Sequence, residues 1–229
     1  MPYRLQREIE KLKKSILTLG AVVEERVHMA VESINKRDEK LARQVIDGDP
    51  QIDDMEVDLE EDCLKLLALH QPVAIDLRFI IAVLKINNDL ERIGDLAVNI
   101  SERAIFVAKH DRVAIPFDFP AMSKKVKDMV KKSLDSLVNM DTALSSKVLK
   151  MDDEVDAINR EMYNQVREGI CKEPDKLEVF THLLNTSRHL ERIGDLATNI
   201  AEDVIYMVDG RIVRHKAEEY TKRINRSPV

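Results

Sequence analysis

The sequence predicts an all-α protein made of two tandem antiparallel three-helix bundles that are related by internal duplication. The composition favours long helices over sheets, because the 229 residues include only six Gly and seven Pro. The duplication is visible at residues 91–100, which read ERIGDLAVNI, and at residues 191–200, which read ERIGDLATNI. Near-identity over ten positions, 100 residues apart, is typical of an internal repeat.

The repeat extends upstream of this motif. Residues 49–55 read Asp-x-x-Ile-Asp-x-Met and residues 152–158 read Asp-x-x-Val-Asp-x-Ile, at an offset of 103 residues. The first repeat therefore contains three additional residues, which we expect in the connection around residues 70–74.

Four segments follow from these boundaries. Residues 1–110 are the first repeat, and residues 111–121 form a linker in which two prolines interrupt the helical pattern. Residues 122–210 are the second repeat. Residues 211–229 form a basic C-terminal tail with six Lys or Arg and two Glu, which either ends the chain as a solvated terminus or contacts phosphate or another protein.

Each repeat is predicted to contain three main helices. In the first repeat, apolar residues at spacings of three and four give one stripe over residues 9–34, and a short helix is expected over 39–46. Asp49-Pro50 is typical of an N-cap followed by proline at the first helical position, so a second helix runs from there toward His70. The third helix begins beyond Pro72 and continues toward Lys109.

The third helix has an apolar face and a polar stripe. The apolar face is formed by Phe79, Val83, Ile86, Leu90, Ile93, Ala97 and Ile100. The stripe starts with apolar residues and then becomes acidic and amidic: Leu77, Ile81, Leu84, Asn88, Glu91, Asp95, Asn99 and Glu102. Gly94 and Gly194 lie inside the motif, at a cost of about 1 kcal/mol each relative to alanine, so we expect close helix approach there.

Paired carboxylates recur on two helices of each repeat. The pairs at i, i+4 are Glu91 and Asp95, Glu191 and Asp195, Asp49 and Asp53, and Asp152 and Asp156, with Asn99 and Asn199 as amide neighbours. Such oxygen donors suit hard cations such as Mg²⁺, Mn²⁺, Ca²⁺ and iron. The alternatives are a solvated acidic face, neutralisation by Arg92 and Arg192, and, for Asp49, a purely capping role.

Several other functions lack support in the sequence. An acidic chain of net charge -6 argues against nucleic-acid binding, and no stretch approaches the ~20 apolar residues that span a membrane. We therefore expect a cytoplasmic protein with reduced, packed thiols at Cys63 and Cys171. A di-iron enzyme needs Glu-x-x-His on two helices, whereas only Glu25 and His28 have that spacing. His182 and His189 occur in one repeat only, which favours packing or surface roles.

The doubled pattern [ND]-x-L-E-R-I-G-D-x-A-x-N-I, together with the Asp-x-x-[Ile/Val]-Asp segments, resembles the PhoU family over nearly the whole chain. The resemblance implies a cytoplasmic homodimer that negatively regulates phosphate uptake and the phosphate regulon. It implies two partners, the ATPase subunit of the Pst phosphate ABC transporter and the PhoR sensor histidine kinase, with no nucleic acid and membrane contact only through these partners.

The resemblance also implies a multinuclear iron or zinc site, with Mg or Mn as alternatives. Carried onto this chain, its ligands are Glu91, Asp95, Glu191 and Asp195, with Asp49, Asp53, Asp152 and Asp156 as additions. Arg188 stands where the first repeat has Asn88, so the two sites are expected to differ.

Three functional hypotheses follow. The first is a regulatory adaptor without catalytic activity whose acidic stripes bind metal. The second is a metal-dependent enzyme that uses the same carboxylates. The third is a structural dimer whose stripes only face solvent or a partner.

Overall fold

The computed structural model describes residues 3–113 and 118–210. Within these ranges there are seven α-helices, one short 3₁₀ turn at Pro174–Lys176, and no strand. The α-helices are α1 Tyr3–Lys36, α2 Glu39–Asp47, α3 Pro50–His70, α4 Ala74–Ala108, α5 Phe119–Asn139, α6 Thr142–Lys172 and α7 Leu177–Asp209. The all-α prediction is confirmed, including the short helix α2. No helix in the described part of the chain combines the length and the apolar character that crossing a membrane requires.

Four long helices form the centre of the molecule. α1 packs against α4 and α5, and α7 packs against the same two helices, so the repeats meet along two seams. α2 and α3 cover α1 and α4, whereas α6 covers α5 and α7. The outer helices α3 and α6 therefore lie beside the helices that carry the duplicated motif.

One apolar core runs through both repeats. Ile93 and Ile193, from the two copies of the motif, are both fully buried in the same cluster, as are Leu19 of α1 and Met122 of α5. All seven residues of the predicted apolar face of α4 are buried. The two bundles share this core, so each repeat stabilises the other.

Polar contacts fix α4 against α7 in antiparallel orientation. Near the start of α4, the Arg78 side chain donates through Nε to the Met207 carbonyl at 2.8 Å. Farther along, Lys85 Nζ lies 3.0 Å from the Asp203 carboxylate.

The repeats differ in helix continuity and in helix length. The first repeat breaks between α2 and α3 at Gly48, whereas α6 continues unbroken through the equivalent residues 151–153. α4 begins 17 residues before Glu91, and α7 begins 14 residues before Glu191. The three additional residues of the first repeat thus form an extra turn at the start of α4, next to the predicted connection.

The linker prediction was too long at its C-terminal end. α5 begins at Phe119, because the Asp118 carboxylate accepts a hydrogen bond from the Ala121 amide at 3.0 Å and Pro120 is tolerated in a first turn. The last three predicted linker residues are therefore helical. Residues 114–117 and the predicted basic tail, 211–229, lie outside the described residues.

The two cysteines are free thiols in different environments. Cys63 is fully buried, and burial raises the pKa of its thiol to about 12, as expected for a packed, unreactive cysteine. Cys171 is exposed near the end of α6, so the expectation of a packed thiol was wrong there.

We predict that substitution by alanine changes the stability of the fold differently at the two motif glycines. A Cβ added to Gly94 would lie 3.0 Å from Ile52 Cδ1 and 3.3 Å from its Cγ2, whereas the nearest atoms to a Cβ on Gly194 are 3.6 Å away. Gly194→Ala should raise the free energy of unfolding by about 1 kcal/mol. In Gly94→Ala the crowding of Ile52 should cancel or reverse this gain, as measured by urea denaturation.

The control compares the double variant Gly94→Ala/Ile52→Val with Ile52→Val alone. Because valine lacks the closest methyl group, Gly94→Ala should stabilise the fold more in that background than in the wild-type protein. Equal stabilisation by Gly94→Ala and Gly194→Ala would contradict the close approach of α3 to α4.

Candidate functional site

The first acidic cluster lies between α3 and α4. Burial and the nearby charges of Asp53 and Asp95 raise the pKa of the Asp49 carboxyl. Burial and the charges of Asp95, Asp53 and Glu56 likewise raise the pKa of Glu91. Each group feels carboxylates of the opposite helix, so the two i, i+4 pairs of the first repeat come together as one cluster.

The second acidic cluster lies between α6 and α7. Burial and the charges of Asp195, Asp156, Asp153 and Glu191 raise the pKa of Asp152 to about 6. Burial also raises the pKa of Glu191 and of Asp195. The pairs that the sequence placed on two separate helices are therefore neighbours in this repeat too.

Glycine allows the carboxylates to approach the motif helix. An added Cβ on Gly94 would be 3.7 Å from Asp49 Oδ1, and one on Gly194 would be 3.6 Å from Asp152 Oδ1. The Asp49 side chain makes no capping hydrogen bond to α3, and Asp152 lies inside α6. The interpretation of Asp49 as a side-chain N-cap was therefore wrong, because its carboxylate packs over Gly94 instead.

The amide candidates lie apart from direct carboxylate contacts. Asn99 donates its side-chain amide to the main-chain carbonyl of Asp95 at 2.9 Å. Asn199 lines a cleft between α4 and α7.

Sequence reasoning missed Arg26 of α1 as a neighbour of the first cluster. Its charge acts on Asp49 to oppose the rise in pKa, and its guanidinium covers Gly48, where an added Cβ would meet it at 2.6 Å. The equivalent residue at the offset of 103 is Met129, whose methyl group packs near Gly194. An alignment of the two repeats could have revealed this difference, because it pairs the cationic Arg26 with the uncharged Met129.

Glu56 is a second residue that the candidate set omitted. Its pKa is raised by burial and by Glu60 and Asp53, and its side chain accepts a hydrogen bond from Asn87 at 3.3 Å. In the second repeat the equivalent pair is Ser187 and Asn159, joined by a hydroxyl-to-amide hydrogen bond of 2.6 Å. The first cluster therefore has a carboxylate at this position that its copy lacks.

The carboxylate oxygens are suitable ligands for a hard cation, but the side chains are not close enough together to form a complete coordination shell. Among the residues described, no three His, Cys, Asp or Glu side chains stand close enough together to hold a metal ion. The carboxyl pKa values are raised first by burial and then by neighbouring like charge, and a divalent cation would relieve the like charge. The residues that would hold it are the four carboxylates of each cluster, with Glu56 in the first.

We predict that Asp152 destabilises the metal-free fold at neutral pH. Its folded-state pKa of about 6 lies above the ordinary aspartate value of 3.8, so the stability it supplies when protonated is lost as pH rises through that interval. Asp152→Asn should therefore raise the free energy of unfolding at pH 7 by about 1 kcal/mol, after allowance for solvent screening. The effect should vanish near pH 3.

Chelator-treated protein and urea denaturation across this pH range provide the measurement. Asp54→Asn, at an exposed residue of α3, is the control and should change stability little at either pH. An effect of Asp152→Asn on stability that does not depend on pH would contradict the raised pKa of the Asp152 carboxyl.

Comparison with known proteins identifies the family. The family model described as PhoU domain matches residues 16–104 and 119–204. The PhoU homolog of Aquifex aeolicus, a phosphate-specific transport system accessory protein, is 39% identical over 213 residues, which cover 93% of this chain and 96% of that protein. The corresponding homolog of Clostridium acetobutylicum is 34% identical over 209 residues, covering 91% and 95%.

Solved structures agree with this result. The crystal structure of PhoU from Pseudomonas aeruginosa matches with a TM-score of 0.86 at 35% identity, covering 90% of this chain and 99% of that one. The structure of the phosphate transport system regulatory protein PhoU from Streptococcus pneumoniae matches with a TM-score of 0.83 at 27% identity, covering 91% and 99%. The tandem all-α repeat and the resemblance drawn from the doubled motif are confirmed: the chain belongs to the PhoU family.

Proposed function

We propose that the protein is a negative regulator of phosphate uptake and of the phosphate regulon, without catalytic activity of its own. Family membership is the observation that carries this proposal. Relatives that match more than nine-tenths of the chain are named accessory proteins of the phosphate-specific transport system. No Ser/His/Asp or Cys/His set recurs between the two repeats, and the sequence has no GxxxxGK[ST] motif, so it gives no positive support to an enzyme.

The regulator would act in the cytoplasm as an adaptor. Its partners would be the ATPase subunit of the Pst phosphate ABC transporter and the PhoR sensor histidine kinase, and the working form would be a homodimer. A helical protein with two related halves offers two similar but unequal surfaces, which suits an adaptor that contacts two different proteins.

Metal binding at the two acidic clusters is the second part of the proposal. The support is the raised pKa of Asp49, Glu91, Asp152, Glu191 and Asp195, because each reflects burial beside other carboxylates. Oxygen donors of this kind suit iron, Mn²⁺ or Mg²⁺, and zinc less strongly. A bound cation would supply positive charge, neutralise this repulsion and tie α3 to α4 and α6 to α7.

Deletion of the gene tests the regulatory part. We expect phosphate-responsive genes to stay active in phosphate-rich medium, because a negative regulator is absent, and expression from a plasmid should restore repression. The readout is transcript abundance in rich and poor medium. Unchanged phosphate control in the deletion strain would overturn the regulator proposal, whatever the metal content of the protein.

Elemental analysis of protein purified without chelators or metal-affinity resin tests the metal part. We expect stoichiometric iron, zinc or manganese in the wild-type protein. The metal should be lost in the variant Glu91→Ala/Asp95→Ala/Glu191→Ala/Asp195→Ala, because two carboxylates of each cluster are removed.

The matched control replaces four exposed acids of the outer helices: Asp58→Ala/Asp62→Ala/Glu161→Ala/Glu168→Ala. It changes the net charge equally and also removes one i, i+4 carboxylate pair, so it should retain the metal. The metal proposal would be overturned if the wild-type protein contained no metal or if the control lost as much metal as the test variant. The regulator proposal is tested separately, by the deletion experiment.

A further inference from the structure

The seam between α4 and α7 has two halves that the duplication makes equivalent. One half is a cleft of about 740 Å³. Its polar lining residues are Lys85, Asn88, Asp89, Arg92, Asn199, Glu202 and Asp203. This set contains two cations and three carboxylates, and Asp89 and Asp203 are buried.

The equivalent positions in the other half have the opposite character. At the offset of 100 residues they are Asn185, Arg188, His189, Arg192, Asn99, Glu102 and Arg103. They include three arginines and one carboxylate. The second acidic cluster accounts for part of this charge, because Arg188 and Arg192 also act on Glu191, whereas Arg103 comes from the other helix.

The arginines act on a common point. Arg103, Arg192 and Arg188 all lie close enough to the half-buried His189 ring for their charges to act on it. Arg188 and Arg192 lie on α7 one turn apart, whereas Arg103 comes from α4, so the cluster spans the seam. We call Arg103, Arg188 and Arg192, with His182 and His189, the arginine cluster.

Neighbouring contacts hold the cluster in place. The Phe106 ring of α4 stacks on His182 of α7, with ring centroids 3.7 Å apart and an interplanar angle of 13°. His110 stacks on the Phe106 ring at 4.1 Å. This stack fixes the end of α4 against the start of α7, one turn from Arg103.

Several buried polar atoms of the cluster have no hydrogen-bond partner among the residues that the structure describes. They are Arg103 Nε, His182 Nδ1 and both ring nitrogens of His189. The Arg103 guanidinium reaches the Glu102 carboxylate only at 3.8 Å, and Arg188 and Arg192 are shared with Glu191 of the second acidic cluster. Buried polar atoms of this kind are normally hydrogen-bonded, so the unpartnered Arg103 donor beside two histidine rings indicates a place for a bound acceptor.

We propose that the arginine cluster binds a small tetrahedral oxyanion, either free inorganic phosphate or the phosphate group of a small molecule. Guanidinium groups present paired donors whose spacing matches phosphate oxygens, and they stay charged at all relevant pH values. The inference rests on the seam between the repeats and does not depend on the proposed function.

The test is NMR of the full-length, chelator-treated protein with ¹⁵N-labelled histidine, at fixed pH and ionic strength. Inorganic phosphate and ATP are titrated separately. The anion with the lower dissociation constant shows whether the site takes free phosphate or the phosphate group of a small molecule. We expect saturable shifts of the His182 and His189 ring signals. Arg103→Gln and Arg188→Asn should each weaken binding about tenfold or more, because each removes a charged donor.

Arg92→Gln is the matched control, because Arg92 is the equivalent of Arg192 in the acidic half of the seam, and binding should be unchanged. Arg188 is exposed, and the first repeat has asparagine, Asn88, at the equivalent position. Arg188→Asn should therefore fold, which keeps the test valid if Arg103→Gln does not fold. The proposal is overturned if neither anion gives saturable shifts. Equal weakening by Arg92→Gln and Arg188→Asn would also overturn it, since binding would then follow overall charge.

Discussion

The antiparallel packing of α4 against α7 is the contact on which the rest of the structure depends. It joins the two repeats into one core and buries Ile93 and Ile193, one from each copy of the motif. It also turns the remaining faces of the two helices outward, where α3 and α6 cover them. The acidic clusters are thus placed on opposite flanks of the α4–α7 seam, and neither repeat can be moved without disturbing the other.

The clusters themselves oppose folding. Carboxylates such as Asp152 and Glu191 are partly buried beside like charges, and the apolar core must supply the free energy that holds them together. Natural proteins retain such arrangements mainly at functional sites, because a structure selected for stability alone would replace them. The duplicated acid pairs are therefore the part of the molecule that packing explains least, which is why we propose them as the metal site.

The sequence predicted the fold well because helical periodicity and internal duplication can both be recognised from the spacing of residues along the chain. The apolar stripe of α4, the short α2 and the two three-helix groups all follow from spacings of three and four. The linker end was misplaced because Pro120 suggests a break, whereas a proline in a first helical turn with Asp118 as cap extends the helix.

The candidate site was predictable only as separate pairs. Nothing in the spacing on one helix shows which outer helix will lie against it, so the meeting of Asp49 with Glu91 and Asp95 needed the structure. Arg26 was missed for the same reason, because it reaches the cluster from α1, far away in sequence. Its counterpart Met129 shows that the second cluster lacks this cation.

The break between α2 and α3 has an electrostatic consequence. Because α3 starts anew at Pro50, Asp49 and Asp53 stand at the N-terminal end of a helix, where the helix dipole favours negative charge even though the Gln51 and Ile52 amides are bonded to the Gly48 and Asp49 carbonyls. α6 runs through the equivalent positions, so Asp152 and Asp156 lie inside a helix and far from its N-terminus. Duplication thus copied the acidic side chains without copying the dipole that favours them, and two sites of similar sequence hold their charge in unlike fields.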